Sequence, residues 1–187
     1  MSASQAAASP ESTAQEPLPT SPEKLLETLQ SLDIAYELFH HAPIFTVEEG
    51  KHLKPDIPGT HCRNLFLRDK KKAMFLVVAA NETAIDLKKL EKILECGRLS
   101  FGSADRLWEN LGIRQGSVNP FCAINDTGHN VEIILDAAMM DAEIVNYHPM
   151  DNAQTMGLSP SDLLKFFAHT GHKPRILDLS GAAPDGE

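Results

Sequence analysis

The chain has 187 residues, which is room for one domain and a tail. Its net charge of −9 argues against a protein that coats nucleic acid non-specifically, while leaving open recognition of one RNA end through a local patch. Three scattered cysteines (Cys62, Cys96, Cys122) are too few for a disulfide framework and form no Cys-x-x-Cys pair, and no segment approaches the roughly 20 apolar residues that span a bilayer.

Residues 1–21 hold mainly Ala, Ser, Pro, Gln, Thr and Glu with one leucine, Leu18, and read as a disordered tail. The tail has no apolar stretch and no Arg or Lys, and it carries Glu11 and Glu16, so it is neither a secretory signal nor a transit peptide. A cytoplasmic protein without a membrane partner is the expectation. Ser21 is a candidate N-cap with Pro22 at the first helical position, and Leu25, Leu26, Leu29 and Leu32 follow at helical spacing. Residues 34–40 alternate and predict a strand. His40 and His41, at its end, would face opposite ways. Pro43 interrupts, and Thr46-Val-Glu-Glu49 has the pattern of a capping box opening a short helix to about Leu53. Pro55, Pro58 and Gly59 make a turn.

Residues 64–67 and 73–79 are apolar runs joined by the charged 68–72, which predicts a β-hairpin. Its tip is basic, with Lys70, Lys71 and Lys72 near Arg63 and Arg68, and the plain reading of 69–72 is a solvated turn. Asp86 caps a helix through about Glu95. Ser103 caps another that ends at Gly112. The loop Gly116-Ser-Val-Asn-Pro120 follows, then apolar segments at 121–124 and 131–135 with a turn over 125–128 between them. Residues 142–147 predict a strand stopped by His148-Pro149, because proline cannot continue a ladder. Ser159-Pro160 opens an amphipathic helix, 173–179 gives a closing strand, and 181–187 is a short tail. Strands interleave with helices, yet several strand pairs are joined by tight turns. The fold class is therefore α/β, one domain with a mixed sheet.

Four elements are candidates to converge on a site: Arg63-Asn64, the 116–120 loop, His148-Pro149, and the stretch from Asn152 to Thr155. A cation beside an amide, with a backbone-rich loop, suits an anionic ligand carrying a small group to be gripped. Each element also has a plainer reading. Asn64 can serve a neighbouring turn, Arg63 can pair with a surface carboxylate, and His148 can be a strand-end histidine. The sequence lacks a Gly-x-x-x-x-Gly-Lys phosphate loop, a Gly-x-Gly-x-x-Gly fingerprint and a Gly-x-Ser-x-Gly elbow. Cys62 beside Arg63 is a conceivable nucleophile, but without a positioned base it reads better as a buried thiol. Neither a metal nor a cofactor is expected.

Asn64-Leu-Phe-Leu67, Gly116-Ser-Val-Asn-Pro120, His148-Pro149-x-x-Asn152-x-x-Thr155 and Leu158-Ser-Pro160-x-x-Leu163-Leu-Lys-Phe166 together resemble the YbaK/prolyl-tRNA-synthetase-associated editing domains. Their order is similar to the free-standing branch that deacylates mischarged tRNA for proline in trans, and the resemblance covers roughly residues 22–180. It implies a partly closed, barrel-like mixed sheet with surrounding helices. It implies hydrolysis of the ester between a small wrong amino acid, typically alanine, and the terminal ribose. The implied partner is the acceptor end of that tRNA, with prolyl-tRNA synthetase a second candidate. The resemblance assigns catalysis to Asn64, Gly116, Ser117 and Val118, and substrate binding to Arg63, Asn119, Pro120, His148, Asn152 and Thr155.

One position departs from the family. The residue before Asn64 is usually lysine there and is Arg63 here. Arginine stays protonated, so it is excluded as a general base but suits a phosphate clamp. The expectation is therefore a trans-editing deacylase. Its alternative is a non-hydrolytic module on the same fold that binds aminoacyl-tRNA or a synthetase. A third reading, an unrelated small-ester hydrolase, suffers from the missing nucleophile–base pair.

Overall fold

The computed structural model describes residues 16–44 and 56–184. Strands β1 (Tyr36–His40), β2 (Thr60–Arg68), β3 (Met74–Ala80), β4 (Ser100–Phe101), β5 (Val131–Asp136), β6 (Val145–Tyr147), β7 (Gln154–Leu158) and β8 (Arg175–Leu177) build one sheet. Its order is β1-β7-β6-β2-β3-β5-β8, with β4 paired to β2. The β2–β6, β3–β5 and β5–β8 pairs are parallel and the others antiparallel. The sheet is mixed, as the short turns require, and runs as an open path from β1 to β8. Among the described residues, the helices around it are α1 (Pro22–Ser31), α2 (Leu87–Leu94), α3 (Ala104–Leu111), α4 (Ala137–Met140) and α5 (Pro160–Thr170).

Local sequence dictates the helix ends. Ser21, Asp86, Ser103 and Ser159 each accept the third-following backbone N–H, at 3.2, 3.1, 3.3 and 3.1 Å. Each such cap is worth about 1 kcal/mol. The hairpin β2–β3 divides the core by alternation. Phe66, Leu76, Val78 and Ala80 join a first cluster with α1, α3 and α5, whereas Leu67, Phe75, Val77 and Ala79 join a second with Leu90 and Leu94 of α2. Adjacent residues of β2 therefore serve opposite faces.

One edge of β2 carries β3 along its length. The other meets β6 only at Thr60 and His61, and β4 only at Leu67 and Arg68. Between them, residues 62–65 have no strand partner on that edge among the described residues. This break in the ladder lies at Arg63 and Asn64.

Several expectations shift. Residues 121–124 belong to a 3-10 helix (Pro120–Asn125), with Asn119 capping it, so the 125–128 turn joins that helix to β5. Strands β4 and β7 and helix α4 had no clear sequence signal. In β7, Gly157 lies opposite Asn146, and a Cβ there would stand 3.0 Å from Asn146 Oδ1. Glycine is thus present for close approach inside a strand. The segment from Glu16 to Ser21, read as tail, lies against the domain: Thr20 Oγ1 donates to Asn125 Oδ1 (2.7 Å), and Arg114 donates to the Glu16 carbonyl. At the other end Asp86 N–H donates to the carbonyl of buried Ala182 (2.6 Å). The helix predicted from Thr46 to about Leu53 lies outside the described residues. Among those described, no helix is long and apolar enough to cross a membrane.

Candidate active site

The 116–120 loop is held from behind and open in front. Gly116 has φ +88°, a conformation that favours glycine, and a Cβ placed there meets nothing within 4 Å. The backbone needs glycine, and the space before it is open among the described residues. Behind it, Asn119 is fully buried. Its Oδ1 accepts the Phe121 N–H (2.9 Å), and its Nδ2 donates to the Ser117 carbonyl (2.9 Å) and approaches Met150 Sδ (3.6 Å). Ser117 N–H closes a turn onto the Arg114 carbonyl (3.1 Å). The Gly116 and Val118 amides have no acceptor among the described residues. Pro120, also buried, starts the 3-10 helix with its φ preset. Asn119 and Pro120, expected to touch substrate, thus brace the loop with groups that are already committed.

The Asn119–Met150 contact ties this loop to the second element, which runs from His148 to Thr155. His148 Nδ1 donates to the Gln154 carbonyl (2.7 Å), leaving Nε2 as the bare, accepting nitrogen. Burial pulls the His148 pKa below its ordinary value, opposed by the Gln154 bond and reinforced by His41 and His61. The ring is therefore neutral at neutral pH. Met150, at φ +63°, turns the chain back and donates its N–H to the His148 carbonyl (3.0 Å). Half-buried Asn152 accepts the Ile44 N–H at its carbonyl (3.0 Å). Thr155 is 4 % exposed, with Oγ1 2.9 Å from His41 Nε2, and the His41 and His148 rings meet edge to face at 5.8 Å. His41, which the sequence reading did not single out as a site residue, joins His148 in this cluster from the residue that follows β1.

Arg63 and Asn64 do not share a wall. Arg63 lies opposite Ala79 and on the face of the second cluster, whereas Asn64 lies opposite Val78 and on the face of the first. The Arg63 guanidinium donates to the Thr83 carbonyl, and Thr83 Oγ1 donates to Asp136 Oδ2 (2.5 Å). Its Nε is buried without a partner among the described residues. Asn64 Oδ1 is likewise buried and unpartnered, on the side where Val118 and Tyr147 pack. An unmet acceptor of this kind costs about 1–3 kcal/mol unless a ligand or water meets it. The two neighbours therefore part company: Asn64 sits on the loop's side, and Arg63 is fastened to the β3–α2 turn. Cys62 is no nucleophile, since burial pushes its thiol up to about 12. Among the described residues no group of three His, Cys, Asp or Glu side chains is placed to hold a metal.

Residues 41–166 match the family model of the aminoacyl-tRNA editing domain. Prolyl-tRNA synthetase associated domain-containing protein 1 of Bos taurus is 40 % identical over 160 residues, covering 83 % of this chain and 93 % of that protein. The prolyl-tRNA editing protein ProX of Acetoanaerobium sticklandii is 36 % identical over 156 residues, covering 83 % and 95 %. Among solved structures, one described as a candidate trans-editing enzyme for prolyl tRNA synthetase superposes with a TM-score of 0.63 at 16 % identity, covering 84 % and 96 %, and so shares the fold. The α/β architecture, the site-bearing loops and these relatives agree, and the chain belongs to the aminoacyl-tRNA editing domain family.

Proposed function

We propose that the chain is a trans-editing deacylase that hydrolyses the ester of mischarged tRNA for proline, with alanine or another small amino acid as the group removed. The observation that carries this reading is the 116–120 loop, rigid behind through buried Asn119 and open before Gly116. The biological need is physical. A pocket built for proline rejects smaller amino acids weakly, because a missing methylene or two is worth only about 1–3 kcal/mol. A second pocket that admits the small acyl group and excludes proline completes a double sieve.

Water attacks the ester carbonyl, the carbonyl oxygen gains charge, and the ribose oxygen leaves as its hydroxyl. The uncommitted Gly116 and Val118 amides suit that developing oxyanion, and their fixed orientation lowers the barrier without reorganisation. Ser117 contributes its place in the turn, since its own N–H is spent on Arg114. Asn64 holds the attacking water or the substrate's amino group with its unmatched Oδ1. Neutral His148 lines the amino-acid pocket and limits its size, and Asn152 extends the same rim. No protein group acts as general base in this scheme. The ribose hydroxyl next to the labile ester assists the water. Arg63 fixes the β3–α2 turn first, so its expected grip on phosphate is secondary. The acceptor end of the tRNA is the partner, prolyl-tRNA synthetase is a second candidate, and the cytoplasm is the expected site of action.

Single-turnover assays with alanyl-, 2-aminobutyryl-, seryl- and prolyl-tRNA for proline test this. Loss of one or more of the small amino acids with prolyl-tRNA spared is expected. Binding without hydrolysis of any of the four would instead identify a non-catalytic module.

A further inference from the structure

The start of β7 fixes two imidazoles at once. Gln154 holds His148 through its carbonyl (2.7 Å), and the next residue, Thr155, meets His41 through its hydroxyl (2.9 Å). The Ala42 carbonyl sets one hydrogen-bond direction at His41. Its Nδ1 lies 2.7 Å from the Ala42 carbonyl, which can only accept, so Nδ1 carries the proton. In the neutral ring Nε2 is bare and accepts from Thr155 Oγ1–H (2.9 Å). Thr155 is buried at 4 % exposure, so its hydroxyl answers to His41 rather than to solvent. The pinned His41 ring then abuts His148 edge to face, with centroids 5.8 Å apart and planes at 69°. His41 follows directly on β1, whose residues Phe39 and His40 pair with Thr155 and Gln154, so both partners are set by ladder register and not by a free loop.

We infer that His41 and Thr155 are positioning residues: they stiffen the His148 wall of the amino-acid pocket and thereby set its discrimination against proline. The inference rests on the editing reading for its consequence, and on hydrogen-bond geometry for its mechanism. A steric sieve excludes a larger side chain only if its wall cannot yield, and a ring free to tilt makes room for a methylene or two. Loosening the wall therefore admits the larger substrate before it harms the smaller one. A residue that merely helped the domain fold would lower both activities together.

The test uses Thr155→Val, which keeps the shape and loses the hydroxyl, His41→Phe, which keeps a ring edge and loses the acceptor, and Thr155→Ser, which keeps the hydroxyl. Single-turnover rates on alanyl- and prolyl-tRNA for proline are expected to show the alanyl-to-prolyl ratio falling about tenfold in Thr155→Val and in His41→Phe, the discrimination that a methylene carries. The ratio should recover in Thr155→Ser. The double variant Thr155→Val/His41→Phe should be no worse than either single one, because the pair acts as a unit. A second readout needs no activity: imidazole 15N shifts should report a pure Nδ1–H form of His41 in the wild type and a tautomer mixture in Thr155→Val. An unchanged ratio in both folded single variants would overturn the inference, as would a His41 tautomer indifferent to Thr155. A wild-type chain that shows the pinned tautomer yet leaves every aminoacyl-tRNA intact overturns the editing reading and, with it, only the pair's role in discrimination.

Discussion

The 116–120 loop and the rim around Arg63 both set polar groups into apolar surroundings, but they are built in opposite ways. The loop satisfies its buried polar atoms behind, through Asn119, and its Gly116 and Val118 amides have no acceptor among the described residues. At the rim, the charged group itself is tied down, bound to the Thr83 carbonyl with its Nε buried and unmet among the described residues. A satisfied scaffold with free donors is organised to receive a substrate. A tethered cation is organised to hold its own turn. A cation and an amide side by side in the sequence thus fall on opposite faces of β2, whereas the glycine at positive φ and the buried asparagine behind it belong to one loop.

Substitutions can break that contrast, and the largest effect is expected at Gly116. Gly116→Ala places a methyl group in the open space and strains a φ of +88°. Turnover should fall by about 100-fold or more if the methyl group keeps the ester from the loop amides, a loss comparable with that of one oxyanion donor. Stability should fall by only about 1 kcal/mol, since nothing in the chain crowds the new methyl group. Single-turnover kinetics beside a urea melt measure both. A variant that keeps its rate would show that the loop does not face the ester.

The two asparagines should then behave as opposites. Asn119→Ala removes the partner of a buried Phe121 N–H and should cost about 2–3 kcal/mol of stability, with activity lost alongside. Asn64→Ala removes an amide oxygen that has no partner among the described residues, so it should fold at least as well as the wild type and lose turnover about 10-fold or more. Equal destabilisation in both would erase the distinction between brace and reactive group.

Smaller effects come from the histidines. His148 and His172 both titrate below their ordinary value of 6.5, burial being the main cause. The unfolded chain therefore takes up protons first as pH falls. Their contribution is complete above 6.5 and is lost as pH drops through the depressed folded values. Denaturation midpoints should decline from about pH 7.5 to about pH 5, and His148→Gln should flatten part of that slope. A midpoint that rises toward acid would reverse the assignment.

The smallest change is expected from Arg63→Lys, within about threefold in turnover, because a lysine still reaches a carbonyl as a donor. Arg63→Ala should cost stability through the Thr83 turn and weaken tRNA binding only modestly. If Arg63 is a principal phosphate clamp, Arg63→Ala will instead reduce the salt dependence of tRNA binding by about one phosphate contact.

Much of the scaffold was legible in the sequence because its signals are local. Ser21-Pro22, Asp86, Ser103 and Ser159-Pro160 announce helix starts by the chemistry of their own side chains, and the β2–β3 hairpin announces itself by two apolar runs about a charged turn. Strand β7 was not legible. Its partners β1 and β6 bury it on both edges, and Gly157 answers to Asn146 across the ladder, which no local pattern encodes. The site divides the same way. The need for glycine at 116 and the Asn119 brace, whose bonds reach Ser117 and Phe121, are local to the loop, while the Asn119 contact with Met150 and the pairing of His41 with Thr155 join residues 31 and 114 apart. The separation of Arg63 from Asn64 follows from strand alternation, a rule available from the sequence but outweighed by their adjacency.

On the editing reading proposed above, the open loop hydrolyses a small aminoacyl ester and spares the cognate one. One reaction tests it: excess enzyme with an equal mixture of alanyl- and prolyl-tRNA for proline, each amino acid carrying its own radiolabel. Alanine is expected to be released over the uncatalysed background while proline stays attached. Release of proline as fast as alanine, or retention of both while the tRNA is bound, would contradict it.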